Sequence, residues 1–319
     1  MRYRQLGRTG LKCSEVSLGT WSFASNVYGD VSRDEAIGAV RAALDAGINT
    51  FDTAPLYGTA QEDGIAEVVL GEALGADRDE VIIATKFGRL PTEPIDTFFN
   101  AAGCRASVEA SLRRLQRDHI DILFFHSPFG PEQIHDDVWE GLTRLRTEGK
   151  VRFVGHSISL FDKTEGMARA WAADGRIDVV QAVLSLLNRE SVGLIAELGN
   201  QGIGVVARES LANGFLSGKI TRDTVFAPNN LNGRYTREEV AERVEEIERL
   251  SFLVRPPVAS MPQAALRWVL DNPGVSTVLA GSRNGDEILD CAAVSDLPAY
   301  TGNDMARARA AHARDFSAA

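Results

Sequence analysis

Three cysteines in 319 residues, Cys13, Cys104 and Cys291, are too few and too far apart for a disulfide framework, and none belongs to a C-x-x-C pair. An odd set of this kind fits a reducing compartment. No run of about 18 apolar residues occurs, which argues against a membrane-spanning helix. The start, Met1-Arg2-Tyr3-Arg4-Gln5-Leu6-Gly7, has no apolar signal core. Positive charge is also short: 34 lysines and arginines face 44 acids, a formal charge of −10, so a nucleic-acid partner is not expected. No linker rich in Pro, Gly or Ser divides the chain, so residues 1–319 are read as a single domain. His119, His126 and His135 share no ligand-like helix with an acid, and no metal is expected. The remainder, 44% hydrophobic and 24% charged, describes a soluble cytoplasmic protein able to bury a sizeable core.

What is present is a repeated beat. Arg2–Leu6 and Leu11–Cys13 flank Gly7-Arg8-Thr9-Gly10, which predicts an opening β-hairpin. Val16–Trp21 then reads as a buried strand. Ser32-Arg33-Asp34-Glu35 has capping-box spacing, and Ala36, Ile37, Val40, Ala43 and Leu44 recur at helical spacing up to Gly47. Strand-like runs follow at Thr50–Asp52, Val81–Lys86, Ile120–His126, Val151–Ser157, Val179–Gln181, Gly204–Arg208 and Val275–Ala280. Helical runs alternate with them near Gly64–Leu74, Cys104–Leu115, Asp136–Glu148, Asp162–Ala173, Val192–Gln201, Pro262–Asp271 and Asp286–Ala293. The acid-rich Arg237–Arg249 segment reads as a solvated helix face, and Pro228 to Gly233 as a mobile loop near the site. Eight short apolar strands alternating with helices predict an α/β protein, a closed (β/α)8 TIM barrel, with a doubly wound open sheet as the alternative. Gly202-Ile203-Gly204-Val205-Val206-Ala207 leads into a strand instead of following one, so it is no dinucleotide fingerprint.

Polar residues fall at one end of this pattern. Asp52, Lys86, His126, Ser157, Gln181 and Arg208 each close a different apolar run, and in a barrel those ends converge on one face. Singly, each has an ordinary explanation, such as a surface lysine, a core histidine or a helix-capping serine. Together they describe a site.

Gly47-Ile48-Asn49-Thr50-Phe51-Asp52-Thr53-Ala54-Pro55-Leu56-Tyr57-Gly58 is the most specific stretch, and Ala66-Glu67-Val68-Val69-Leu70-Gly71 continues it. With Ala84-Thr85-Lys86, Asp121-Ile122-Leu123-Phe124-Phe125-His126 and Gly281-Ser282-Arg283, the chain resembles the aldo-keto reductase superfamily. The resemblance implies a catalytic tetrad of Asp52, Tyr57, Lys86 and His126, and a nicotinamide dinucleotide lying across the strand ends. Reducing a carbonyl by hydride places negative charge on oxygen, so a proton donor must stand within hydrogen-bond reach. A phenol of pKa about 10 is a weak acid, and the expectation is that an adjacent Lys86 ammonium lowers it while Asp52 supplies the counter-charge. His126 would donate a hydrogen bond to the carbonyl and orient it. In the oxidative direction Tyr57, as phenolate, would accept the alcohol's proton.

For the cofactor, the resemblance implies Gly19, Thr20, Trp21, Asp52, Ser157, Gln181, Arg208, Glu209, Leu211, Gly214, Gly281, Ser282, Arg283 and Glu287, with Ser157 and Gln181 on the carboxamide. The chain departs from the family where Ser157-Ile158 replaces a usual Ser-Asn pair. It departs again where Arg208 replaces an aromatic ring stacked on the nicotinamide, and where Cys291 replaces an adenine-facing Asn. Arg283 and Ser282, at a helix start, suit a 2′-phosphate, whereas Glu287 suits a free ribose hydroxyl. NADP(H) is favoured, and NAD(H) stays open. Substrate contacts are expected from Trp21, Tyr57, Phe87, His126 and Phe129, with Phe23, Tyr28 and the Phe98-Phe99 pair as further aromatic candidates. A simple aldehyde or ketone is the first substrate class, and a sugar lactol or cyclic alcohol the second. A nicotinamide-binding regulatory subunit without turnover is the alternative of another class.

Overall fold

When a helix follows each strand, the chain returns to the end from which the strand began, so successive strands run parallel. The computed structural model describes residues 1–24, 29–93, 99–227 and 230–315. It opens with an antiparallel hairpin, β1 (Tyr3–Gln5) and β2 (Lys12–Ser14), joined by a 3₁₀ turn over Gly7–Thr9. The parallel strands are β3 (Val16–Gly19), β4 (Thr50–Asp52), β5 (Ile82–Phe87), β6 (Ile120–His126), β7 (Val151–Ser157), β8 (Val179–Val183), β9 (Gly204–Arg208) and β10 (Thr277–Gly281). Between and after them lie α1 (Arg33–Asp45), α2 (Ile65–Leu74), α3 (Ala101–Leu115), α4 (Val138–Thr147), α5 (Phe161–Ala173), α6 (Val192–Asn200), α7 (Arg237–Arg249), α8 (Met261–Leu270), α9 (Gly285–Ala292) and α10 (Gly302–Asp315). β10 pairs with both β9 and β3, which closes the sheet into a (β/α)8 barrel and excludes the open-sheet alternative.

Strand side chains alternate between two faces, and the apolar residues divide accordingly into two clusters. Ile82, Ala84, Ile122, Phe124, Val179, Val206 and Leu279 fill the barrel interior. Leu18, Phe51, Ile83, Phe87, Leu123 and Phe125 point outward, into the layer beneath the helices. The hairpin contributes Leu6, Leu11 and Cys13 to the interior cluster and so plugs the end from which the strands start. Gly7 makes that fit possible: its φ is +53°, and a Cβ there would stand 2.3 Å from the Gly204 nitrogen. With one end plugged and the middle filled, the open end of the barrel is the one where the strands finish.

The capping box read from the sequence forms: Ser32 and Glu35 cap α1 reciprocally. The structure adds a second, Thr236 with Glu239 at the start of α7. The first barrel strand stops earlier than the apolar run suggests, because the Thr20 nitrogen and hydroxyl both turn to the Asp52 carbonyl, at 2.9 and 3.1 Å. The following Trp21–Phe23 is a 3₁₀ turn. In the expected mobile loop, Pro228 and Asn229 lie outside the described residues. In its remainder Asn230 caps a 3₁₀ turn over Leu231–Arg234, and the buried Asn232 donates to the Asn213 carbonyl at 2.8 Å. Among the described residues no helix is long and apolar enough to cross a membrane.

Candidate active site

On β5, β6, β8 and β9 apolar inward positions precede a polar one. Lys86 follows Ile82 and Ala84, and His126 follows Ile122 and Phe124. Gln181 follows Val179, and Arg208 follows Val206. The plugged interior therefore carries a ring of polar groups at its open end, and the loops above enclose a cavity of about 770 Å³. Ser127, just after β6, and Glu209, Ala212 and Asn213, after β9, are non-glycine residues at positive φ. Backbone strain of this kind gathers at functional loops.

Lys86 is 1% exposed and lies beneath Tyr57. Its ammonium has three protons and three acceptors: Asp52 Oδ1 at 2.6 Å, the Thr53 carbonyl at 2.8 Å and the Tyr57 hydroxyl oxygen at 3.0 Å. Because Tyr57 accepts from Lys86, its own O–H proton stays free, and among the described residues it has no acceptor. The other Asp52 oxygen accepts from Gln181 Nε2 at 2.8 Å, so the carboxylate is held from two sides. Trp21 stacks on the phenol ring at 6.2 Å, and His126 meets it edge-on at 5.9 Å. The imidazole nitrogens make no hydrogen bond to any described residue, and Nδ1 is buried.

Away from the tetrad, the cavity follows the loop after β9 to the start of α9. Gly19, Trp21, Asp52, Ser157, Gln181, Arg208, Glu209, Leu211, Gly214, Gly281, Arg283 and Glu287 line it, as expected from the sequence. Thr20 and Ser282 do not. Thr20 is buried and ties β3 to β4, while Ser282 is buried with its carbonyl accepting from Ser22 Oγ at 2.7 Å. Phe87 is not a substrate contact either. It follows the inward Lys86, so it must face outward, where it packs on Phe99 and Phe125 at 5.9 and 4.7 Å between ring centres. Phe99 shares that buried layer, Phe23 is buried in the same outer cluster and does not line the cavity, and Tyr28 and Phe98 lie outside the described residues. The aromatic lining is Trp21, Tyr57, Phe129 and Phe226.

The lining suits an elongated polar ligand. Among the described residues Ser210 Oγ and Asn232 Oδ1 are buried along it without a partner, a costly state unless a ligand or water completes them. At the far end Arg283 Nη2 and Lys219 Nζ converge on one oxygen of Glu287, at 2.8 and 2.7 Å, and the Arg283 nitrogen donates to the other at 2.9 Å. Burial works against the Glu287 charge, but these hydrogen bonds outweigh it and hold its pKa at about 2.

The model of the Aldo/keto reductase family matches residues 15–313. The chain belongs to this family. It is 30% identical over 312 residues to the aldo-keto reductase YhdN of Bacillus subtilis (strain 168), covering 95% of this chain and 90% of that one. To the L-galactose dehydrogenase of Arabidopsis thaliana it is 33% identical, with 92% and 88% covered. Among solved structures it is similar to a glycerol dehydrogenase from Gluconobacter oxydans, with a TM-score of 0.81, 26% identity, and 99% and 97% of the two chains covered.

In this aldo/keto reductase three charge states follow from the surroundings. Burial opposes the Lys86 charge, but Asp52 and Tyr57 outweigh it, so the ammonium is held above its ordinary pKa. Burial also raises the Tyr57 phenol, with Lys86 opposing, and the net direction is upward. The sequence expectation of a lowered phenol pKa is therefore reversed, because removing the phenolate from water outweighs its neighbouring cation. Tyr57 is protonated at neutral pH, as a proton donor must be. Burial, then Lys86, Arg89 and Arg208, hold His126 well below 6.5, so it is a neutral imidazole with one N–H to give.

That last shift has a signed consequence. Below the unfolded-state pKa of about 6.5, the unfolded chain takes up a proton that native His126 refuses, so its contribution to stability is lost as pH falls. Replacing the ring by His126→Gln should make the slope of unfolding free energy against pH shallower between pH 6.5 and 5, by up to about 1.4 kcal/mol per unit. Urea titrations across that range measure it, and equal slopes would contradict a buried neutral His126.

Proposed function

We propose that this aldo/keto reductase interconverts a carbonyl and an alcohol with a nicotinamide dinucleotide, with Tyr57 as the general acid and base. The observation that carries the reading is the Tyr57 hydroxyl. Its oxygen accepts from a buried ammonium, and its proton is left without an acceptor at the floor of a large cavity. A group that can donate but has no acceptor among the described residues is poised for a ligand. His126 stands beside it, neutral, with a second N–H for the same oxygen. Two donors meeting where charge develops stabilise an alkoxide-like transition state.

Ser157 and Gln181 would hold the carboxamide, Ser210 and Asn232 the middle of the dinucleotide, and Arg283 with Lys219 its adenosine end. When bound, the cofactor supplies or accepts the hydride. During reduction Tyr57 gives its proton to the carbonyl oxygen while Lys86, fixed by Asp52, favours the phenolate left behind. During oxidation Tyr57 takes the alcohol's proton back. Arg208, turned to Glu209 and to the Ile158 carbonyl at 2.8 Å, would lay a guanidinium where other members place an aromatic ring.

NADP(H) is the favoured cofactor, since two cations, Arg283 and Lys219, meet at a single carboxylate and a 2′-phosphate could draw both. Glu287 supports NAD(H) as the second reading, because it could accept from a ribose 2′-hydroxyl instead. The likeness to L-galactose and glycerol dehydrogenases keeps sugars and polyols among the substrates to be tried. Oxidation of reduced cofactor against a panel of aldehydes, ketones and sugars tests the activity. Tight cofactor binding without turnover on any of them would favour a regulatory role.

Tyr57→Phe should leave cofactor affinity nearly unchanged and cut kcat by several orders of magnitude, since it removes the donor and little bulk. Steady-state kinetics with fluorescence titration of the cofactor separate the two, and wild-type turnover would contradict the assignment. Arg283→Ala should weaken NADP by about ten- to a hundred-fold and NAD much less. Equal weakening of both in the same titration would leave Arg283 a structural role.

A further inference from the structure

β5 ends at Phe87, and the chain turns sharply at Gly88, whose φ is +94° and where a Cβ would stand 2.1 Å from the Phe99 ring. That turn places Arg89 on the wall of the catalytic cavity, with Tyr57, His126 and Phe129. Among the described residues Arg89 has no hydrogen-bond or ion-pair partner. The other arginines of the cavity are engaged, Arg208 with Glu209 and Arg283 with Glu287. Its one neighbour is Phe129, whose ring lies 4.6 Å from the guanidinium carbon. Stacking of this kind fixes the plane of the guanidinium and leaves its N–H edges free. Burial and then the like charge of Arg208 hold Arg89 below its ordinary pKa, as expected of a guanidinium short of a counter-charge.

We propose that Arg89 determines substrate specificity by binding an anionic group, a carboxylate or phosphate, carried on the carbonyl compound or alcohol. A neutral polyol could accept from Arg89 but would leave two half-buried cations, Arg89 and Arg208, beside one another with no added counter-charge. An anion supplies that charge and matches the planar fork. The chain as a whole carries −10, so a local cation at the mouth also offsets long-range repulsion of such a substrate. The inference deepens the carbonyl and alcohol reading and rests on it for turnover, although not for binding.

Matched pairs test it: 4-oxobutanoate against butanal, and glyceraldehyde 3-phosphate against glyceraldehyde. In wild-type protein kcat/KM should favour the anionic member of one pair by about ten-fold or more, and the pair that responds tells carboxylate from phosphate. Arg89→Met should lower that ratio by about ten- to a hundred-fold, and Arg89→Lys should restore part of it. Ratios at or below one in both pairs, or a ratio unchanged in Arg89→Met, overturn the proposal. Calorimetry with 4-hydroxybutanoate and glycerol 3-phosphate needs no turnover. Binding of either that is lost in Arg89→Met supports Arg89 even if the oxidoreductase reading fails, whereas no binding of either to wild-type protein overturns it. Loss of cofactor affinity in Arg89→Met with the substrate ratio unchanged would assign the residue to the cofactor instead, and also overturns it.

Discussion

A lysine ammonium sits inside a barrel, 1% exposed, and much of the site follows from what it takes to keep it there. An unpaired charge so buried costs several kcal/mol, so all three protons must find acceptors. Asp52 supplies the counter-charge, the Thr53 carbonyl takes the second proton, and Tyr57 the third. Asp52 in turn is held by Gln181 from the opposite side of the barrel. Strands β4, β5 and β8 must therefore be in register for the charge to survive, and the closed sheet supplies that register. Fold and site are coupled here through one hydrogen-bonded unit.

Its electrostatics set the protonation states. The phenol keeps its proton because burial outweighs the attraction of Lys86, and the imidazole stays neutral because burial, then Lys86, Arg89 and Arg208, disfavour its charge. Both are then donors, which suits developing negative charge on a carbonyl oxygen better than the removal of a proton from an alcohol. The cavity beyond is divided by charge: one unpaired guanidinium near the reacting end, and two cations on one carboxylate at the far end.

The barrel was legible because its signals are local and repeated: eight apolar runs alternating with helical periods, the first helix opened by a capping box at Ser32. Asp52, Lys86 and His126 were legible because, by strand alternation, each is a polar inward residue closing an apolar run, whereas Tyr57, in the loop after β4, was legible only through the stretch around it. The same rule shows why Phe87 was misread. Aromatic character drew it into the pocket, but its neighbour Lys86 faces in, so it faces the helices. Thr20 and Ser282 differ from this: they stand beside lining residues but are themselves buried, Thr20 bonded to the Asp52 carbonyl and Ser282 accepting from the Ser22 hydroxyl through its backbone carbonyl. Lys219, Asn232 and Arg89 were missed because loops bring them in from places without periodicity. Helix α10 was also missed. Its signal was Thr301, which exchanges hydrogen bonds with Asp304, ahead of Met305 and Ala308 at helical spacing.

The coupling of Tyr57 to Lys86 is the centre of the account, and the pH dependence of alcohol oxidation reads it most directly. Oxidation needs the phenolate, so the rate should rise with pH along a limb that reports the Tyr57 ionisation. In folded Lys86→Met protein the phenol loses its neighbouring cation, and that limb should move to higher pH with a lower rate at neutrality. A limb that stays where it is in wild-type protein would mean that Tyr57 does not titrate under the influence of Lys86, and would contradict the mechanism.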